Sequence, residues 1–201
     1  MTEINIFPKF IDKALSPVAE SAGETLRSVW DIAFGGIDIY SQKKNLSRQK
    51  ALESFKNDID NKVSKIPLDK ITEPELYIVG PTLEASKFYF ENETLRELFA
   101  NLIAASVNSD LHKRAHPSFV EIIKQLSSDE ALMLKQMDNS PYPVLGIDFR
   151  KIGEQGIGKS TYIRDFNTLV YEVGSAHPDN GRAYLRNLDR LGLITIQEEV
   201  F

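Results

Sequence analysis

The residues best suited to chemistry lie in Lys151 to Thr161, KIGEQGIGKST, where Gly153, Gly158, Lys159 and Ser160 match the phosphate-loop pattern G-x-x-x-x-G-K-[ST]. In such a loop the glycines let backbone N–H groups close around phosphates, the lysine reaches the outer phosphates and the hydroxyl helps hold Mg²⁺. The local context fits, because Tyr142 to Phe149 reads as a strand. Thr161 to Val173 reads as a helix, with Tyr162, Phe166, Leu169, Val170 and Val173 on one face. The wider context does not fit. A working phosphate loop needs several parallel strands and an acid on a second strand, and only Thr161 to Phe201 follows the motif. The favoured reading is a glycine-rich link between the first strand and the second helix of a C-terminal unit, with Lys159 exposed. Nucleotide binding through Gly153, Gly158, Lys159 and Ser160 is the least favoured function.

His112 and His116 are four apart, a spacing that suits a metal on a helix. Pro117 and the polar stretch DLHKRAH indicate a loop, and no third ligand is signalled, so no metal is expected; His177, also before a proline, reads the same way. There is no G-x-S-x-G, no H-E-x-x-H and no Ser/His/Asp set. The pairs Glu198-Glu199 and Glu91 with Glu93 read as solvated faces. The expectation is a non-enzymatic protein without catalytic residues, cofactor or small-molecule substrate.

The strongest binding feature is basic. Arg182, Arg186 and Arg190 recur every four residues, opposite Tyr184, Leu185, Leu188 and Leu191, so a helix would point three guanidiniums outward. A winged-helix unit presents such a helix to DNA, but the residues after Leu126 hold more acids than bases. A solvated face or a protein contact is favoured, with a DNA-binding regulator as the alternative.

These features need elements to position them. The chain has 201 residues, a net charge of −5 and no cysteine. That length supports one full core or two small ones, and the missing thiols exclude disulfides and thiolate metal sites. The start, MTEINIFPKFIDK, has no secretion-signal pattern, and no segment is apolar enough to span a membrane. A cytoplasmic protein is expected, with a protein partner or a homo-oligomer.

Residues 9 to 34 read as one or two helices broken near Ser16-Pro17 and closed by Gly35-Gly36. The stretch is weakly acidic, so docking on its own domain or on a partner is favoured over a membrane-surface helix anchored by Trp30. Ser47 reads as the N-cap of a helix through Lys65, with Leu52, Phe55, Ile59, Val63 and Ile66 inward. Thr72-x-x-Glu75 could cap a helix running to Phe90 that Gly80-Pro81 must break or kink. TLRELFANLIAAS forms the clearest helix, with Leu95, Leu98, Phe99, Leu102, Ile103 and Ser106 on one face. Ser118-x-x-Glu121 after Pro117, and Ser127-x-x-Glu130, read as caps of two further helices.

Asn139-Ser140-Pro141 reads as a turn, Pro178 to Leu191 as a last helix and Leu193 to Gln197 as a strand. The fold class is mostly α: a helical N-terminal bundle over 1–126, then a winged-helix-like α+β unit over 127–201 with a short two-stranded sheet.

The stretch EPELYIVGPTLEASKFYFENETLRELFANLIAASVNSDLHKRAHPSFVEIIKQLSSDEALML, residues 73 to 134, resembles the bacterial Abi-alpha family. The resemblance is carried by Pro74, by Gly80-Pro81, by LRELFANLIAAS with Glu97, Ala100, Asn101 and Leu102, and by HPSFVEIIKQLSSDEA with His116, Pro117 and Ser118. The ending YLRNLDRLGLI fits too. It implies abortive infection, a bacterial defence that stops an infected cell before phage matures. It implies no catalytic residues, and the glycine loop lies outside the family pattern.

Overall fold

The computed structural model describes residues 7–11, 16–35, 44–137, 141–153 and 156–197; for residues 8, 11, 44, 45, 147–153 and 156–163 the description is of the backbone. The chain forms two compact units, Met1–Gln125 and Leu126–Phe201.

The first unit is helical. α1 (Pro8–Ile11) is a single turn held by Asp60, whose buried carboxylate accepts from the Lys9 and Phe10 N–H groups at 3.2 and 3.0 Å. α2 (Pro17–Phe34) starts where the sequence indicates, with Ser16 as N-cap accepting from the Ala19 N–H at 3.2 Å. α3 (Lys44–Val63) begins before Ser47, which is therefore inside the helix and caps nothing. Its Phe55, Ile59 and Val63 are buried, as their spacing predicts.

α4 (Leu76–Ser86) departs from expectation at its start, and it stops at Ser86, short of Phe90. Thr72 and Glu75 form no capping box: Glu75 is the N-cap without a side-chain bond, and the Thr72 N–H donates to the Val107 carbonyl at 2.9 Å. Pro81 does not break the helix, which runs through it as one element. Proline forfeits a single i to i−4 bond, and Pro81 is exposed, so the carbonyl it leaves unpaired can take water instead.

α5 (Glu93–Ser106) is the centre of the unit, packing on α3, α4 and α6. Asn92 caps it by accepting from the Leu95 N–H at 3.0 Å, and its predicted face is buried, with Leu98 partly so. α6 (Ser118–Lys124) is capped differently from expectation. The Ser118 N–H donates to His116 Nδ1 at 3.1 Å, so the imidazole satisfies the helix start and no Ser118–Glu121 box forms.

The core joins these helices through aromatic rings. Trp30 lies 4.5 Å from Phe34 and 5.6 Å from Phe55 between centroids, and Phe34 meets Phe90 edge-on at 6.0 Å. Phe7 closes the cluster against Trp30 at 5.9 Å. Trp30 is 6% exposed, which makes it a core side chain and not a surface anchor.

The second unit opens with α7 (Ser128–Gln136), where Ser127 and Glu130 form the reciprocal capping box that the sequence indicates. β1 (Leu145–Gly153) and β2 (Gly156–Phe166) then form an antiparallel hairpin, and α8 (Leu169–Glu172) and α9 (Gly181–Arg190) follow. The sheet is two-stranded, as expected, and β1 takes up Leu145 to Phe149 of the expected first strand, but its partner is not the expected Leu193 to Gln197. Thr161 to Phe166 is strand and only Leu169–Glu172 of the predicted helix is helical. The apolar spacing that mimics one helix belongs to two elements, and Thr161, Tyr162 and Ile163 are strand formers.

Leu193 to Gln197 is not a strand among the described residues. Gly192, at φ 71°, turns the chain at the end of α9. The Leu193 N–H then donates to the Leu188 carbonyl at 3.0 Å and the Ile196 N–H to Asp189 Oδ1 at 3.3 Å, so the tail satisfies its donors on the helix and not in a ladder. The hairpin therefore precedes the last two helices, where a wing after the recognition helix had been expected. Asn139 and Ser140, Gly36 and Glu198-Glu199 lie outside the described residues.

The ring cluster sets the stability of the first unit. Trp30→Ala should cost about 3–5 kcal/mol, the usual loss for a buried Trp or Phe truncated to Ala. Urea unfolding would measure it.

Candidate functional site

Gly153, Gly158, Lys159 and Ser160 do not form a phosphate loop. They lie on the two strands of the hairpin, with Gly153 opposite Gly156, Lys151 opposite Gly158, Arg150 opposite Lys159 and Phe149 opposite Ser160. A phosphate loop aims free N–H groups from the start of a helix, whereas here the segment passes from strand to strand and its backbone belongs to a ladder. Glu154 and Gln155 lie outside the described residues.

The arginine stripe is where the sequence puts it, on the face of α9 opposite buried Tyr184, Leu185 and Leu188. Its surroundings could not be read from spacing. Arg186 forms a two-pronged bond to Asp165, Nε to Oδ2 and Nη2 to Oδ1, both at 2.8 Å. The Arg182 Nε lies 3.5 Å from the same carboxylate, and Arg190 donates to Asn187 Oδ1 at 3.1 and 2.6 Å. Asp165 itself is buried at the end of β2 with φ 56°, a left-handed backbone that Asp tolerates better than most residues. Two guanidiniums thus face a carboxylate of their own chain. A DNA phosphate would have to compete with it.

The opposite side of α9 is held by acids of the α7 capping turn. Asp129 is buried and accepts from Ser175 Oγ at 2.6 Å, Tyr184 Oη at 2.9 Å, the Ala176 N–H at 3.0 Å and the His177 N–H at 3.1 Å. Glu130 accepts from Asn187 Nδ2 at 2.7 Å. Burial alone would push the Asp129 carboxyl up. The Ser175 hydroxyl, the Ala176 N–H, the Tyr184 hydroxyl and the His177 N–H outweigh it and hold the group below the ordinary carboxylate range. Burial pushes the Tyr184 phenol up, and the adjacent Asp129 adds to this, so Tyr184 stays a donor.

Of the residues of the family resemblance, Glu97 and Asn101 sit on α5 and His116 to Ser118 at the start of α6. Glu97 sits 3.7 Å from Lys62, Asn101 is exposed on α5, and His116 with Ser118 forms the start of α6 around Pro117, with Ser118 Oγ 2.8 Å from His116 Nδ1. His112 Nδ1 donates to the Ser109 carbonyl at 3.0 Å. No group of three or more His, Asp or Glu that could hold a metal occurs among the described residues.

What spacing did not reveal is an apolar groove of about 310 Å³ between α4 and α6. Pro81, Ala85 and Phe88 form one wall, Val120 is opposite, and Tyr89 bridges them by donating to the Lys124 carbonyl at 3.2 Å. Phe88 is 81% exposed. Both acids of the lining are paired: Glu84 lies 2.5 Å from Lys87, and Glu121 lies 2.9 Å from Lys124. The run Phe88-Tyr89-Phe90 was the available signal, but sequence alone does not say which ring faces out.

Fold and site define a mostly helical protein with a small antiparallel hairpin and an exposed apolar groove on its helical unit. No helix among the described residues is long and apolar enough to cross a membrane. Residues 47–201 match the family model described as Abortive infection alpha, and the chain belongs to that Abi-alpha family. No curated protein matches the chain, and no solved structure does.

The Asp129 arrangement makes stability depend on pH. Its carboxyl titrates lower in the folded than in the unfolded chain, so its contribution is complete above the ordinary carboxylate range and is lost as pH falls through the lowered value. Melting temperature against pH should show an acid-side decline that Asp129→Asn flattens, with a loss of about 2 kcal/mol at neutral pH from the missing charged bonds.

Proposed function

We propose that the protein is a phage-defence factor of the abortive-infection type, acting in the cytoplasm through protein contacts and without catalysis. Membership of the Abi-alpha family supports the biological role. The observation that carries the mode of action is Phe88, 81% exposed at the mouth of the α4–α6 groove. Scattered surface hydrophobics are ordinary, but a large ring beside an apolar concavity is the anchor-and-pocket arrangement that dominates protein interfaces.

A winged-helix DNA regulator is the weaker reading, because Arg182 and Arg186 already face Asp165. The acidic balance of the chain also opposes non-specific attraction to DNA.

Expression should reduce phage plating, and Phe88→Asp should return plating to the vector level while the protein accumulates normally. Plating unchanged by the wild-type chain across a broad phage panel counts against the defence role. Full protection by Phe88→Asp counts against contact through this groove.

A further inference from the structure

We propose that the open edge of β1 is a self-association site, at which two copies of this chain pair their β1 strands antiparallel about a two-fold axis through Phe149. This site lies in the second unit and is independent of the α4–α6 groove.

The hairpin leaves each of its strands one edge without a ladder among the described residues. Such an edge is a row of unpaired N–H and C=O groups, and a two-stranded ribbon is stabilised by a further strand. The two edges differ. Leu145 pairs with Phe166, Ile147 with Ile163 and Asp148 with Thr161, so β2 holds one extra residue in each interval and both bulges lie in β2. The first contains Asp165 with its left-handed backbone, and β2 also packs on α9. Bulges bend and twist a strand and disrupt its ladder. β1 has neither bulge nor proline along its nine residues, and its main packing is on β2. Its edge is the one fit for pairing.

The order of charges along β1 selects the occupant. A two-fold axis normal to the sheet sets opposite each other only positions of the same face, so it must pass through a residue. Centred on Asp148, Arg150 or Lys151, it would oppose like charges, which destabilises a strand pair. Centred on Phe149, it sets Asp148 opposite Arg150 of the partner subunit and Arg150 opposite Asp148 of the partner subunit. Phe149 is also the midpoint of Leu145–Gly153, so this register alone pairs the whole strand. Charges on an edge ordinarily turn other strands away, but this strand read in reverse matches itself. The chain's net −5 does not gather here: Leu145 to Phe166 holds four bases and three acids. Repulsion between charges farther apart than about 8 Å is largely screened at physiological salt.

Sedimentation velocity of the full chain, run from about 1 to about 100 μM where dimers of moderate affinity dissociate, tests this. The wild type should pass from monomer to dimer with rising concentration. Arg150→Asp opposes like charges twice and should stay monomeric with unchanged melting, and adding Asp148→Arg to it should restore the dimer. The chain has no cysteine, so one introduced thiol reports the register. Phe149→Cys should cross-link on oxidation, because the residue on the axis faces its own copy within disulfide reach. Ile152→Cys should not.

A wild type that is monomeric throughout overturns the proposal. So does a dimer that Arg150→Asp leaves intact, or cross-linking as efficient through Ile152→Cys as through Phe149→Cys. A dimer abolished by Phe88→Asp and kept by Arg150→Asp would put the contact at the groove and overturn it as well.

Discussion

Phe90 must be inside. Its ring meets Phe34 in the aromatic cluster that joins α2, α3 and the turn after α4, and Arg48 covers it with a guanidinium 5.3 Å from the ring centre. The turn that delivers it is tight, with the Phe88, Tyr89 and Phe90 N–H groups donating back to Ala85, Ser86 and Ser86 carbonyls at 3.2, 2.9 and 2.9 Å. In so tight a turn successive side chains fan out, so burying Phe90 leaves Tyr89 half-covered and sends Phe88 into solvent. The groove and its exposed anchor are therefore a consequence of core packing. A loosened aromatic cluster would alter the groove even though no groove residue had changed.

The same economy of local geometry organises the second unit. α7 begins with two acids that lie at the favourable end of its dipole, and both reach outward: Glu130 completes the capping box and meets Asn187, while Asp129 gathers the loop before α9. α9 is thus gripped on one flank by α7 and on the other by Asp165 at the end of the hairpin. Among the described residues no buried side-chain nitrogen or oxygen lacks a partner, which is what a small unit with a polar seam needs in order to hold one arrangement.

Elements governed by neighbours within a turn or two were legible from sequence. The buried face of α5, the Ser127–Glu130 box and the apolar side of α9 follow from periodicity and capping chemistry. Features that depend on partners far along the chain were not. Thr161 to Phe166 becomes a strand because it pairs with Leu145 to Phe149, and nothing in its spacing names that partner. At the start of α6 the His116 imidazole accepts from the Ser118 N–H, a role that motif patterns assign to hydroxyls and carboxylates. The Abi-alpha resemblance was readable in the helical stretches, while the groove required knowing which of three adjacent aromatics the core would claim.

The left-handed backbone at Asp165 carries a further meaning. Few side chains tolerate φ 56°. Glycine would suit the backbone but bring no acceptor, and asparagine would bring one neutral oxygen to two cationic neighbours. Aspartate alone satisfies the turn and the guanidiniums of Arg182 and Arg186 together. Position 165 thus ties the end of the hairpin to the charge of α9 through one side chain.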